Sequence, residues 1–297
     1  MDKSILEGDI MIKCIATDMD GTLVTGAHII TKENKEAILA AQARGIEVVV
    51  ATGRSYEEAR FVLEEEGLKV PMILVNGAEI RTKEGTLIGE NPIEKSEATE
   101  IARNLNELDI YFEIYTTKGT YTNDREKGLA LIVDIFLSIN PGADRDFILE
   151  ESKERFAEGN IHVVEDYDHV FRSEDHKILK FLVFSFDDEK IETASKVLKH
   201  FESIVVSSSA KGNIEITHKQ AQKGVALEQF VKERGISLSE TMAIGDNFND
   251  VSMLSRVGRS VAMGNAAEEV KAICHFVTAT NEESGVGKAI MQAIKES

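Results

Sequence analysis

At 297 residues and 42% hydrophobic content, the chain has apolar material for a large core or for two domains. Its 52 acidic against 34 basic residues leave a net charge of −18, which argues against binding nucleic acid or anionic membranes through clustered positive charge. Six per cent aromatics with no Trp excludes broad stacking platforms, and two cysteines exclude a disulfide framework or a Cys-rich zinc site.

Residues 1–10 are polar and read as an extension before Met11, with no charged-then-apolar signal segment. No apolar run approaches the ~20 residues of a membrane span, so a cytoplasmic protein is expected, with Cys14 and Cys274 as buried free thiols. From there short apolar strands alternate with amphipathic helices: a strand over 12–17, a helix over 31–44 closed by Gly45, and a strand over 46–51. Ser55 with Glu58 forms a capping box for a helix that Gly67 ends. A strand over 72–75 follows, then an Asn76-Gly77 turn and a hairpin whose arms, 78–82 and 86–88, flank Lys83-Glu84-Gly85.

The middle, 89–210, has a different pattern. A helix over 96–108 precedes the alternating Tyr111-Phe112-Glu113-Ile114-Tyr115 and then Gly119-Thr120-Tyr121. An irregular charged stretch leads to a strand over 178–186, a helix over 190–200 and strands at 204–207 and 214–217. This is the signature of a smaller α+β domain with an antiparallel sheet. The alternation then resumes with helices over 224–234, 250–256, 266–273 and 287–294, and strands over 241–244, 260–263 and 276–278. Short uncharged strands between helices predict a Rossmann-like parallel sheet covered on both faces, so the fold class is α/β with an inserted α+β domain. The expected division is 1–88 and 211–297 for the parallel domain and 89–210 for the insertion.

Four polar clusters follow predicted core elements, at the edge where open parallel sheets bind ligands. Asp18-Met19-Asp20-Gly21-Thr22 places two carboxylates one residue apart at a strand end. These residues also suit a solvated turn; functionally, they give a nucleophile for phosphorus in Asp18 and a general acid/base in Asp20. Thr52-Gly53-Arg54 offers a hydroxyl and a bare amide for phosphate oxygens, and it also suits a helix start. Lys223 opens a helix, where the positive dipole end disfavours a cation unless anions meet it; a solvated surface lysine is the equal alternative. Gly245-Asp246-Asn247-Phe248-Asn249-Asp250 is dense in hard oxygen donors of the kind Mg2+ takes, Asp246 being the leading ligand and Asp250 serving equally well as a helix cap.

Together these clusters resemble the four motifs of the haloacid dehalogenase (HAD) superfamily, in the Cof-like branch of type II phosphatases, which carries a large α/β cap between its second and third motifs. The resemblance runs over the whole chain from Met11. It implies Asp18 as nucleophile and Mg2+ ligand, Asp20 as acid/base with its carbonyl on the metal, and Asp246 as third ligand. It implies Met19 (through its amide), Thr52, Gly53, Lys223 and Asn249 as the phosphate cradle, and Arg54, Asn76 and Gly77 at the mouth. Gly264-Asn265-Ala266 also matches, although a turn and cap explain it equally. His218-Lys219-Gln220 departs from the family pattern, where a Pro- or Gly-containing turn is common, and His218 reads as a surface or hinge residue.

The expected function is therefore Mg2+-dependent hydrolysis of a small-molecule phosphate ester, such as a sugar phosphate or phosphorylated cofactor. The second aspartate argues against a dehalogenase, which lacks it, and against a phosphoryl-transfer pump, which has Thr there. A phosphomutase and a phosphate-binding regulator without turnover remain as alternatives. Oligomeric state and the residues that select substrate are not legible; Tyr111, Glu113, Tyr115 and Tyr121 qualify by polarity alone.

Overall fold

The computed structural model describes residues 11–139, 144–146, 148–150, 153, 161–207 and 212–296. The extension expected at 1–10 lies outside them, as does the junction expected between 210 and 211. Two compact units emerge: Met1–Glu90 with Gln220–Ser297, and Asn91–Lys219 inserted between them. The second unit extends to Lys219 because Asn213–His218 is a full member of its sheet, paired with Ile178–Phe184.

Strands β1 (Cys14–Thr17), β2 (Glu47–Ala51), β3 (Met72–Leu74), β4 (Glu79–Arg81) and β5 (Leu87–Glu90) open the first unit. The second unit holds β6 (Tyr111–Thr116), β7 (Gly119–Thr122), β8 (Ile161–Val163), β9 (Ile178–Phe184), β10 (Ile204–Ser207) and β11 (Asn213–His218). The first unit then resumes with β12 (Thr241–Gly245), β13 (Arg259–Ala262) and β14 (Phe276–Val277).

The first unit's sheet runs β14-β13-β12-β1-β2-β3-β4-β5, parallel as far as β3 and antiparallel through the β4–β5 hairpin. β1, most of β2 and all of β12 are buried, which is why their sequences are unbroken apolar runs. Ser55 N donates to Glu58 Oε2 (2.9 Å), completing the capping box ahead of the helix Tyr56–Glu65. Helix Lys32–Ala43 packs against Gly285–Glu296, and buried Asn34 joins them by accepting from Gly287 N (2.8 Å) and donating to Leu23 O (3.0 Å).

In the first unit two elements differ from the sequence expectation, both beside the polar clusters. β3 stops at Leu74 because Val75, Asn76 and Gly77 all take positive φ, which no strand accommodates. The helix expected over 250–256 is reduced to Val251–Leu254 after a 3₁₀ turn at Phe248–Asp250, since the Asp250 carboxylate turns back onto the amides of the preceding loop.

In the second unit the order is β10-β11-β9-β6-β7-β8, antiparallel except for β7 with β8. Phe112, Ile114, Phe181, Val183, Ile214 and Ile216 form one core with Ile101, Leu105, Ala194 and Leu198 of the helices Lys95–Glu107 and Asp188–Leu198. Strand alternation therefore turns Tyr111, Glu113 and Tyr115 to the opposite face, while Tyr121 joins the core. The stretch expected to be irregular contains β8 and the helices Arg125–Ile139 and Asp168–Arg172. Arg125–Ile139 escaped notice because it is apolar over most of its length and shows no 3.6-residue contrast. Among the described residues, no helix is long and apolar enough to cross a membrane.

Candidate active site

β12, β1 and β2 lie side by side, and the polar clusters of the first unit gather at their C-terminal ends. Thr17 pairs with Ile244, and Asp18 N continues the ladder by donating to Ile244 O (2.9 Å). Asp18 is thereby fixed beside the start of the 245–250 loop. Lys223 is the first residue of the helix Lys223–Lys232, and its Nζ donates to Asp18 Oδ1 (2.5 Å) and Asp250 Oδ1 (2.7 Å). Lys223 and Asp250 are both 0% exposed. The cation that is misplaced by helix electrostatics is thus answered by two carboxylates.

Asp250 also organises its own loop, accepting from the amides of Asp246 (2.9 Å) and Asn247 (3.0 Å) through Oδ2. Thr22 Oγ1 donates to Asp246 Oδ1 (2.7 Å), tying the first cluster to the fourth. Gly21 sits between them at φ +75°, where a Cβ would fall 2.6 Å from Asp246 Oδ2. No other residue meets both demands. Asn265 Nδ2 donates to Gly21 O (2.8 Å), so the Gly264-Asn265-Ala266 segment also buttresses this loop. One carboxylate oxygen from each of Asp18, Asp246 and Asp250 lies within 4.8 Å of the others.

Asp20 is set apart from this cluster. Its side chain is 48% exposed, and Arg54 grips both oxygens, Nε to Oδ2 at 2.9 Å and Nη2 to Oδ1 at 2.6 Å. Arg54 Nη2 also lies 3.1 Å from His28 Nδ1. Arg54 N donates to the buried Thr52 Oγ1 (3.1 Å), and Asn76 N donates to Thr52 O (2.9 Å). Asn249 Nδ2 donates to Asn76 Oδ1 (3.3 Å), while Asn249 Oδ1 is buried without a partner. Gly53 abuts Asn76, whose Oδ1 would lie 3.1 Å from an added Cβ. Gly77, at φ +102°, is buried where a Cβ would meet Gln222 O at 2.6 Å, so it lets the chain pass close to the residue preceding Lys223. The Met19 side chain is buried in the core and its carbonyl accepts from Val24 N (3.0 Å).

A family model described as haloacid dehalogenase-like hydrolase matches residues 15–290. The chain belongs to that family. It is 38% identical to phosphatase YwpJ of Bacillus subtilis (strain 168) over 278 residues, covering 93% of this chain and 97% of the relative. It is 36% identical to the 5-amino-6-(5-phospho-D-ribitylamino)uracil phosphatase YwtE of the same organism, covering 95% and 98%. A solved B. subtilis haloacid dehalogenase-like hydrolase superposes with a TM-score of 0.85 at 36% identity, covering 94% of this chain and 99% of the other. The likeness to Cof-like HAD phosphatases read from four short motifs thus extends along nearly the whole chain.

In this HAD hydrolase the two motif aspartates are driven in opposite directions. Burial raises the pKa of Asp18 well above the carboxylate range, the Asp250 and Asp246 charges add to that, and the charge and hydrogen bond of Lys223 oppose it without reversing it. Asp246 is pushed up to about 6 by burial and by Asp250, against a hydrogen bond from Thr22. For Asp20, burial opposes ionisation, yet the hydrogen bonds and charge of Arg54 win and lower its pKa. Burial would likewise pull Lys223 down, but Asp18 and Asp250 hold it raised and protonated. Crowded oxygen-only donors, with Asp18 and Asp246 both raised, are what a divalent cation relieves, so the cluster can hold one.

Sequence reading gave no contact to four contributors: Asp250 as second partner of Lys223, Thr22 within the first cluster, Asn265 within the segment that matches the family, and His28, which it did not single out. Asp250 was visible as an aspartate in the fourth cluster but was equally well explained as a cap. Nothing local marks His28, which reaches Arg54 only through the turn in which His28 N donates to Thr25 O (2.9 Å) and Thr25 N to Ile29 O (3.0 Å).

Proposed function

We propose that this hydrolase is a Mg2+-dependent phosphatase that cleaves a small phosphorylated metabolite, a sugar phosphate or phosphorylated cofactor, through a phospho-aspartyl intermediate on Asp18. The observation that carries the reading is the buried Lys223 shared between Asp18 and Asp250, with Asp20 two residues on in a separate, half-exposed setting. One carboxylate is thereby held rigidly and the other is left within reach of a leaving group and of water.

Asp18 and Asp246 would hold Mg2+ with the backbone carbonyl of Asp20, while Asp250, already engaged at both oxygens, would hold the loop. Four carboxylates against Lys223 and Arg54 leave two negative charges unmatched, which fits a divalent ion. Bound there, it would supply the positive charge that a phosphate dianion requires. The amide of Met19, the hydroxyl of Thr52, the amide of Gly53 and the ammonium of Lys223 would hold the phosphate oxygens. Asn249 joins them if its amide and that of Asn76 are both turned over, because its NH2 then occupies the position of the unpartnered Oδ1 and Asn76 Nδ2 donates to it in return. Arg54 and Asn76 would line the mouth. Gly77, buried against Gln222, serves packing instead.

In the first half-reaction an Asp18 oxygen attacks phosphorus, the bond from phosphorus to the ester oxygen breaks, and Asp20 gives its proton to that oxygen. In the second, ionised Asp20 takes a proton from water, which attacks phosphorus, breaks the acyl phosphate bond and frees inorganic phosphate and the Asp18 carboxylate. Arg54 favours the second half, because it holds Asp20 ionised.

The test is phosphate release from p-nitrophenyl phosphate by wild type and Asp18→Asn, with Mg2+ or EDTA. Turnover should require the metal and vanish in the variant; metal-dependent hydrolysis by folded Asp18→Asn would sink the reading. YwtE, at 36% identity, is named for a ribityl phosphate joined to a heterocycle, so that compound heads a panel of monoesters ranked by kcat/KM. Isomer formation without phosphate release would instead identify a mutase.

A further inference from the structure

We propose that His28 is a positioning residue for Asp20, acting through Arg54; the proposal rests on the acid/base role assigned to Asp20. An arginine only donates, so the 3.1 Å contact between Arg54 Nη2 and His28 Nδ1 requires Nδ1 to accept. The same Nη2 donates to Asp20 Oδ1 at 2.6 Å, and His28 Nδ1 lies 3.9 Å from that oxygen. Guanidinium, imidazole and carboxylate therefore meet at one corner. Nε of Arg54 holds the other carboxylate oxygen, so fixing the plane of the guanidinium fixes the plane of the carboxylate.

The backbone singles out the same residue. His28 has φ +59°, in the left-handed region that glycine occupies without strain. The neighbouring Gly26 does not take this conformation, although its N is anchored to Glu282 Oε1 at 2.7 Å. A side chain kept where glycine would be easier, and in contact with the acid/base arm, points to a use for that side chain.

The position allows a clean test, since His28→Gly removes the imidazole while relieving the backbone. The assay is Mg2+-supported hydrolysis of p-nitrophenyl phosphate, with thermal midpoints measured alongside. His28→Gly should lower kcat roughly tenfold, the size expected when one hydrogen bond to a charged group is lost, with KM and thermal midpoint held or the midpoint raised. His28→Asn should restore most of kcat, because Asn Oδ1 occupies the place of Nδ1 and Asn tolerates this φ; His28→Gln, whose polar atoms lie farther out, should not. In an Arg54→Ala background His28→Gly should cost nothing further. An unchanged or increased kcat in His28→Gly, or an undiminished loss in the Arg54→Ala background, overturns the proposal. If Asp20→Asn itself leaves kcat intact, the acid/base reading fails first, and the two failures are thereby told apart.

Discussion

Lys223→Met is the substitution that bears most directly on the core of the site. Lys223 and Asp250 are fully buried, and the ammonium makes contacts of 2.5 Å and 2.7 Å with Asp18 and Asp250. Methionine fills similar space but leaves these carboxylates facing each other and Asp246. Removing one partner of a buried ion pair costs about 3–5 kcal/mol. At about 2–4 °C per kcal/mol, the thermal midpoint should fall by roughly 6–20 °C. The sign with pH follows from the shifts. The raised pKa of Lys223 keeps its contribution fully present below its unfolded value of 10.5, hence across the neutral range, and it is lost only above that. The raised pKa of Asp18 means its charged form is disfavoured on folding, more so without Lys223. The variant's deficit should therefore be largest at pH 7–8 and shrink towards pH 4, as the carboxyls take up protons. Adding Asp250→Asn should recover part of the loss, a non-additivity expected of groups in contact. Urea and thermal unfolding followed by circular dichroism in EDTA, at pH 4, 6 and 8, measure all of this. A loss below about 1 kcal/mol, or a deficit independent of pH, would refute the claim that Lys223 neutralises buried charge.

Asp18→Asn should be inactive yet at least as stable as wild type in EDTA at pH 7. The stability tied to a raised carboxyl is present below its unfolded value of 3.8 and lost as pH rises through the folded value; the amide removes that loss. Saturating Mg2+ should stabilise wild type, by about 2.7 kcal/mol at a hundredfold excess over Kd, and so raise its thermal midpoint, and should do so far less in Asp246→Asn; equal shifts in both would remove Asp246 from the ligand set. Glu113, raised to about 7 by burial, should make the protein lose stability between pH 4.5 and 7, and Glu113→Gln should flatten that slope in equilibrium unfolding. Gly21→Ala should lower kcat roughly 10- to 100-fold, since a Cβ 2.6 Å from Asp246 Oδ2 displaces that carboxylate; an unchanged kcat would mean the loop yields freely.

What the sequence made legible follows from how local each signal is. Asp18, Asp20, Thr52 and Asp246 stand at the ends of strands whose apolar runs are unmistakable, and parallel strands deliver their C-terminal ends to one edge. Lys223 was legible as an anomaly, a cation at a helix start. What answers it was only half legible, because Asp250 lies 27 residues away and its partnership depends on a loop that folds back on itself. The contacts of His28 and Asn265 were illegible for the same reason, since they join residues distant in sequence through turns with no fixed spacing, although Asn265 itself stood in a segment that matches the family pattern. The Arg125–Ile139 helix failed differently: a segment apolar on most sides has no periodicity to read.

The spacing of Asp18 and Asp20 names two carboxyls but cannot say which one carries a proton. The structure shows why that question turns on two cations. Burial raises the pKa of Asp18, and Lys223, buried and therefore strong but divided between Asp18 and Asp250, does not offset it. Arg54 is nearer to solvent but gives two donors to one carboxylate, so the pKa of Asp20 falls. An attacking nucleophile must be ionised and a proton donor must be protonated, and the polypeptide alone biases each carboxyl against the state its proposed role requires. Further positive charge beside Asp18 and a second partner for Arg54 would each correct one of the two. On the proposed mechanism a divalent cation at Asp18 and Asp246 would supply the first, and the phosphoryl oxygens of an arriving ester would supply the second by accepting from Arg54 while it stays on Asp20. Metal and substrate would then each relieve the bias on one of the two aspartates.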